Sequence, residues 1–142
     1  MGLGVVILLI FLVLGGIGGG AGTQSVVLQF WGTFDDGNFY KDAISDFTRS
    51  NPNIRVVYRA FNFQDYEKQL IDSFAAGTGP DIWLMHNTWL PKHGDKISPL
   101  PLTAPKGEDK PIFAFRDFQN QFVDVAVKDL TLGGQIYALP IY

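Results

Sequence analysis

The sequence predicts an α/β fold with a parallel sheet built in the order βαβαβ. Three observations carry this expectation. Short apolar, β-rich runs stand at residues 25–31, 54–61 and 81–85. Two segments with helical apolar spacing lie between them. The loops that join these pieces are short, as right-handed crossovers in parallel sheets require.

The first strand, 25–31, ends in Leu28-Gln29-Phe30-Trp31 and gives way to a loop at 32–37. A helix over 38–50 follows, because Phe39, Ala43, Ile44 and Phe47 recur on one face. Asn51-Pro52-Asn53 ends it, since proline disfavours helix at the residue before it. The second strand holds Val56, Val57 and Tyr58. Asn62 is a good N-cap for a second helix that runs to Ala76, with Phe63, Tyr66, Leu70, Ile71 and Phe74 on its apolar face. Gly77 supplies the C-terminal stop. The third strand, 81–85, is apolar enough for burial on both faces. Beyond it, 89–93 suits a single turn and 96–110 reads as a surface loop. A third helix over 116–129 is marked by Phe118, Phe122, Val123, Ala126, Val127 and Leu130. Gly133-Gly134 forms a tight turn into a last strand over 136–142.

Composition bounds the function. The chain has 142 residues, 46% of them hydrophobic, enough for one packed domain. With 11 Lys and Arg against 14 Asp and Glu the net charge is −3, which argues against a nucleic-acid partner. The absence of cysteine excludes disulfides, thiolate metal sites and a cysteine nucleophile. At the N-terminus an unbroken apolar run, 5–14, precedes a glycine cluster at 15–22. Signal peptides place small residues after an apolar stretch of about 7–15 residues. The uncharged stretch 3–22 also matches the roughly 20 residues of a membrane span. Residues 1–22 are therefore expected to be an export signal or an anchor to the cytoplasmic membrane, with no positive flank to choose between them. Residues 23–142 form the folded part.

In parallel α/β sheets ligands gather at the carboxyl ends of strands. Two loops there are rich in ligand chemistry. After the first strand, Trp31 offers an apolar plate, Thr33 a hydroxyl and Asp35 two acceptors. This mixture suits a sugar, although Asp35 or Asp36 could serve only as a helix cap and Trp31 only as core. After the third strand, His86-Asn87-Thr88-Trp89 gathers donors, acceptors and an indole. His86 alone reads as a structural hydrogen-bonder; the cluster reads as a binding loop. Trp83, Phe113, Phe115 and Phe118 read as packing. His86 and His93, seven apart across Pro91, give no convergent metal set. Adjacent Asp35 and Asp36 would point apart, and no nucleophile-elbow, zinc-protease or phosphate-loop motif is present.

The helix followed by Gly77-Thr78-Gly79-Pro80-Asp81-Ile82 resembles the extracellular solute-binding proteins of family 1, the maltose-binding-like receptors of ABC importers. Three further stretches match in order: Val27-Leu28-Gln29-Phe30-Trp31, the helix end Asp46-Phe47 with Asn51-Pro52-Asn53-Ile54-Arg55-Val56, and Gly134-Gln135-Ile136-Tyr137-Ala138-Leu139-Pro140. The resemblance implies a periplasmic-binding-protein-like lobe, here an incomplete first lobe with the second largely absent. It implies capture of a carbohydrate or similar small polar ligand outside the cytoplasmic membrane, delivery to ABC permease subunits, and no enzymatic activity or cofactor. By position it assigns the ligand to Trp31, Thr33 and Asp35, to His86, Asn87, Thr88 and Trp89, and to Tyr142. No lipobox cysteine follows the apolar run. The chain is then expected to be a fragment that binds sugar poorly alone. Two alternatives stand beside this reading: a membrane-anchored interaction module, and a flavodoxin-like enzyme using Asp35 and His86.

Overall fold

The computed structural model describes residues 25–33, 37–101, 103–104 and 113–141. Its centre is a three-stranded parallel sheet. Strand β1 (Val26–Gly32) leads through helix α1 (Asn38–Ser50) to β2 (Ile54–Ala60), and helix α2 (Phe63–Ala75) returns the chain to β3 (Ile82–Trp83). The strand order is β2-β1-β3, and both neighbours run parallel to β1. The expected βαβαβ lobe is thus formed. Its third strand is shorter than expected and lies at the sheet edge, with Ile82 42% exposed. An edge strand has only one pairing partner, so an apolar run gives no guarantee of burial on both faces.

The two helices cover opposite faces, because the chain steps from β1 out to β2 and then back past β1 to β3, and right-handed crossovers in opposite directions lie on opposite sides of a sheet. Successive strand residues then point alternately to each helix. Trp31 and Trp83 face α2 and form one core with Phe61, Tyr66, Leu70 and Phe74. Phe30 and Ile82 face α1, lining an apolar cavity of about 210 Å³ with Leu28, Tyr40, Ile44 and Phe47.

The Gly77-to-Asp81 motif is explained by local geometry. Gly77 takes the left-handed conformation (φ 69°). The Gly77 N–H donates to Phe74 O and the Thr78 N–H to Ser73 O, closing α2 with a Schellman motif. At Gly79 a Cβ would fall 2.3 Å from Phe74 Cδ1, so only glycine lets the chain pass the ring. The Asp81 carboxylate then accepts the Gln29 N–H at 2.8 Å while its own N–H donates to Gln29 O at 3.0 Å. The motif ends a helix and fastens β3 to β1.

After β3 the chain makes a 3₁₀ turn (Asn87–Trp89), the short helix α3 (Leu90–His93) and a second 3₁₀ turn (Gly94–Lys96). The single turn expected near 89–93 is therefore a longer helical stretch. The helix expected over 116–129 is two helices, α4 (Phe115–Gln121) and α5 (Asp124–Leu130). Phe122 and Val123 are extended between them (ψ 152° and 150°). This break lets Phe118 and Leu130 converge with Ile136 in a second core. Strands β4 (Thr131–Leu132) and β5 (Gln135–Ile136) form the expected tight hairpin, with positive φ at both Gly133 and Gly134. Residues 137–141 continue without strand pairing, which corrects the strand expected over 136–142; the Tyr137 N–H instead donates to Leu130 O. Residues 1–24, and so the export or anchor segment, lie outside the described residues. Among the described residues no helix is long and apolar enough to cross a membrane.

Candidate functional site

Because β1 and β3 are parallel neighbours with Trp31 beside Trp83, their following loops leave the same end of the sheet side by side. The Leu84 N–H donates to Trp31 O at 2.9 Å and keeps them together past the last paired residue. The loops open into a cavity of about 1060 Å³ between the sheet core and the second core. Thr33, His86, Asn87 and Trp89 line it, facing Ala126, Asp129 and the 137–141 segment.

The two indoles have different positions. Trp31 is 7% exposed, belongs to the sheet core and does not line the cavity. Its ring lies 4.5 Å from that of Phe61, and the Arg59 guanidinium covers it at 5.6 Å. Its carbonyl accepts the Tyr66 hydroxyl at 3.1 Å. Burial pushes the Tyr66 phenol far above its ordinary range, so it acts as a neutral donor. Trp89, on the loop, is only half-buried and lines the cavity. It stacks on Tyr66 (6.2 Å, 26°) and meets the His93 ring edge-on at 5.8 Å. Trp31 is thus the foundation and Trp89 the wall.

The polar residues divide in a similar way. His86 Nδ1 accepts the Thr88 N–H at 3.3 Å and meets Thr88 Oγ1 at 2.9 Å, so Nε2 carries the neutral ring's proton. These bonds form the 3₁₀ turn and engage the Thr88 hydroxyl with its neighbour; Thr88 is not among the lining residues. Asn87 Nδ2 donates to Asp129 Oδ2 at 2.6 Å, joining two segments 42 residues apart. Asp129 and Tyr137 also line the cavity, and sequence reasoning missed both. Asp35 and Tyr142 lie outside the described residues. Among the described residues no group of His, Asp or Glu could hold a metal ion.

Residues 31–142 match the family model described as bacterial extracellular solute-binding protein. No curated protein matches the chain. Among solved structures, a cyclo/maltodextrin-binding protein complexed with maltotetraose is 27% identical with a TM-score of 0.61, covering 82% of this chain and 28% of its own. The sugar-binding protein MalE from Xanthomonas citri is 24% identical (TM-score 0.63; 81% of this chain, 28% of that one). An ABC substrate-binding protein from Listeria monocytogenes in complex with cycloalternan is 19% identical (TM-score 0.62; 80% and 28%). The latter two likenesses concern the fold. The chain spans 28% of the length of each of these structures.

Proposed function

The chain belongs to the bacterial extracellular solute-binding protein family, and from this membership we propose that it captures a sugar or similar polyol outside the cytoplasmic membrane for an ABC importer. The observation that carries the reading is the shared opening of the β1 and β3 loops. They present an indole, an amide, an imidazole and a hydroxyl to one cavity of about 1060 Å³. Sugar recognition uses this combination: an apolar plate for the ring face and a few placed polar groups for the hydroxyls. The cyclo/maltodextrin-binding relative, in its complex with maltotetraose, makes a malto-oligosaccharide the first probe.

In this reading residues 1–22 direct export or tether the chain, and residues 23–142 form part of a first lobe. Thr33, His86, Asn87 and Trp89 are the contacts proposed from the described residues, and Asp35 and Tyr142 are proposed as further ligand contacts from the family resemblance alone. Thr88 shapes the loop, and Trp31 supports it. One wall alone would give affinity in the millimolar range, about 4 kcal/mol. The test is titration of the folded chain with maltotetraose and a panel of oligosaccharides, followed by amide NMR to about 10 mM sugar. Saturable shifts confined to 84–90 and the facing segment support the reading. A folded sample that shifts with no sugar removes it. Mass spectrometry of the exported chain separates the two leader roles: an intact Met1 supports the tether, a start near Thr23 supports cleavage.

A further inference from the structure

The charge of the cavity wall carries an inference about which sugars enter. The described lining residues include Asp81 and Asp129 but no lysine or arginine. Asp81 is committed to the Gln29 amide. Asp129 forms no ion pair among the described residues. Its carboxylate's only hydrogen bond there is the one from Asn87 Nδ2 to Oδ2 at 2.6 Å. That leaves the second carboxylate oxygen as an acceptor, and it leaves Asn87 its carbonyl and one further N–H. An ionised acceptor and a neutral donor then stand within one hydrogen bond of each other, beside the Trp89 indole.

We infer that Asp129 is a specificity-determining residue of this cavity: with Asn87 it binds two adjacent hydroxyls of a neutral glycoside, and its charge rejects acidic sugars. The inference rests on the sugar-binding reading above. One hydroxyl donates to the free Asp129 oxygen, and its neighbour accepts from the second Asn87 N–H. Hydrogen bonds to an ionised acceptor are about twice as strong as neutral ones. A uronic, sulfated or phosphorylated sugar would bring a second negative charge against a wall whose described residues include no lysine or arginine, a juxtaposition that costs affinity steeply.

The experiment compares maltotetraose with a counterpart carrying a 6-carboxylate, by amide NMR titration on the wild-type chain and on Asp129→Asn, Asp129→Ala and Asn87→Ala. Circular dichroism verifies the fold of each. The wild type should bind the neutral sugar at least ~10-fold more tightly than the acidic one. Asp129→Ala should lose roughly 10- to 100-fold for the neutral sugar, the range of a hydrogen bond to a charged group. Asp129→Asn keeps the shape and should narrow the neutral-over-acidic preference. Asn87→Ala should weaken neutral binding but keep the preference, because the charge remains. If the 87–129 bond is only a brace, Asp129→Asn and Asn87→Ala will shift both sugars alike, and the inference falls while sugar binding stands. Failure of the folded wild type to bind either sugar removes the sugar-binding reading and the inference with it.

Discussion

Helices α1 and α2 have the same length, each carries an apolar face, and they cover opposite faces of one sheet, yet only α2 contributes buried residues to a core; α1 meets the sheet chiefly through Tyr40, against Phe30 and Tyr58. Leu70 and Tyr66 on α2 are almost fully buried. No residue of α1 is buried; Phe39 is 60% and Phe47 41% exposed. The ends differ too. Asn62 Oδ1 caps α2 by accepting the Gln64 N–H at 3.0 Å, and a Schellman turn closes it. α1 starts at Gly37 without a side-chain cap. An amphipathic period announces an apolar face, but the surface opposite decides whether that face is buried. On the α2 side, Trp31, Trp83, Phe61 and Trp89 fill the space beneath the helix. On the α1 side Phe30, Tyr40, Ile44 and Phe47 border a cavity of about 210 Å³ without closing it.

The strongest way to break this comparison is Leu70→Ala, for which a loss of about 3–5 kcal/mol is expected from the removed burial and the cavity left behind. Urea unfolding followed by circular dichroism measures it. A loss under about 1 kcal/mol would mean that α2 is no better anchored than α1. Next comes Gly79→Ala. The new Cβ collides with the Phe74 ring, and about 1–3 kcal/mol should be lost as α2 and β3 are pushed apart. Because β3 leads into the 3₁₀ turn that carries Trp89 and itself holds Trp83, the tryptophan emission should shift as well. At the α1 face, Phe47→Ala should cost only about 1 kcal/mol or less, since the ring is already partly in water.

The same contrast explains what could be read from the sequence. β1, α1, β2 and α2 were legible nearly to the residue, because apolar periods of two and 3.6 alternate and Asn62, Gly77 and Pro52 mark the boundaries. The α4–α5 break was not legible. The apolar spacing runs on through Phe122 and Val123, and neither a proline nor a glycine marks the turn. Convergence on a distant Ile136 decides it. At the site, His86-Asn87-Thr88-Trp89 was legible as a cluster because four chemistry-bearing residues are consecutive. The roles within it were not, because Thr88 turns to His86 and Asn87 to a partner 42 residues away. Asp129 alone looks like a solvated helix residue. Trp31 and Trp89 look alike in sequence; strand alternation turns one toward α2, and the loop leaves the other at the cavity.

The smallest expected effect concerns how each helix is tied by charge. α1 has an exposed pair within itself, Arg49 to Asp46 at 3.0 Å, which holds it to nothing else. α2 reaches outward. Glu67 Oε1 accepts from Lys92 Nζ at 2.5 Å and from His93 Nε2 at 2.7 Å, linking α2 to α3, and His93 in turn meets the Trp89 ring. Hydrogen bonds from Lys92 and then His93 hold the Glu67 carboxyl below its ordinary range. A carboxyl depressed in the folded state stabilises the fold fully above its unfolded value, about 4.3, and loses that contribution as pH falls through the lower folded value. The melting temperature of Glu67→Gln should therefore lie slightly below that of the wild type at pH 5.5, and the gap should close as pH drops below about 4. Asp46→Asn should leave the melting temperature at pH 5.5 almost unchanged, because both partners of that pair are exposed. If the Glu67 gap persists unchanged at pH 3, the link between α2 and α3 rests on packing around His93 rather than on charge.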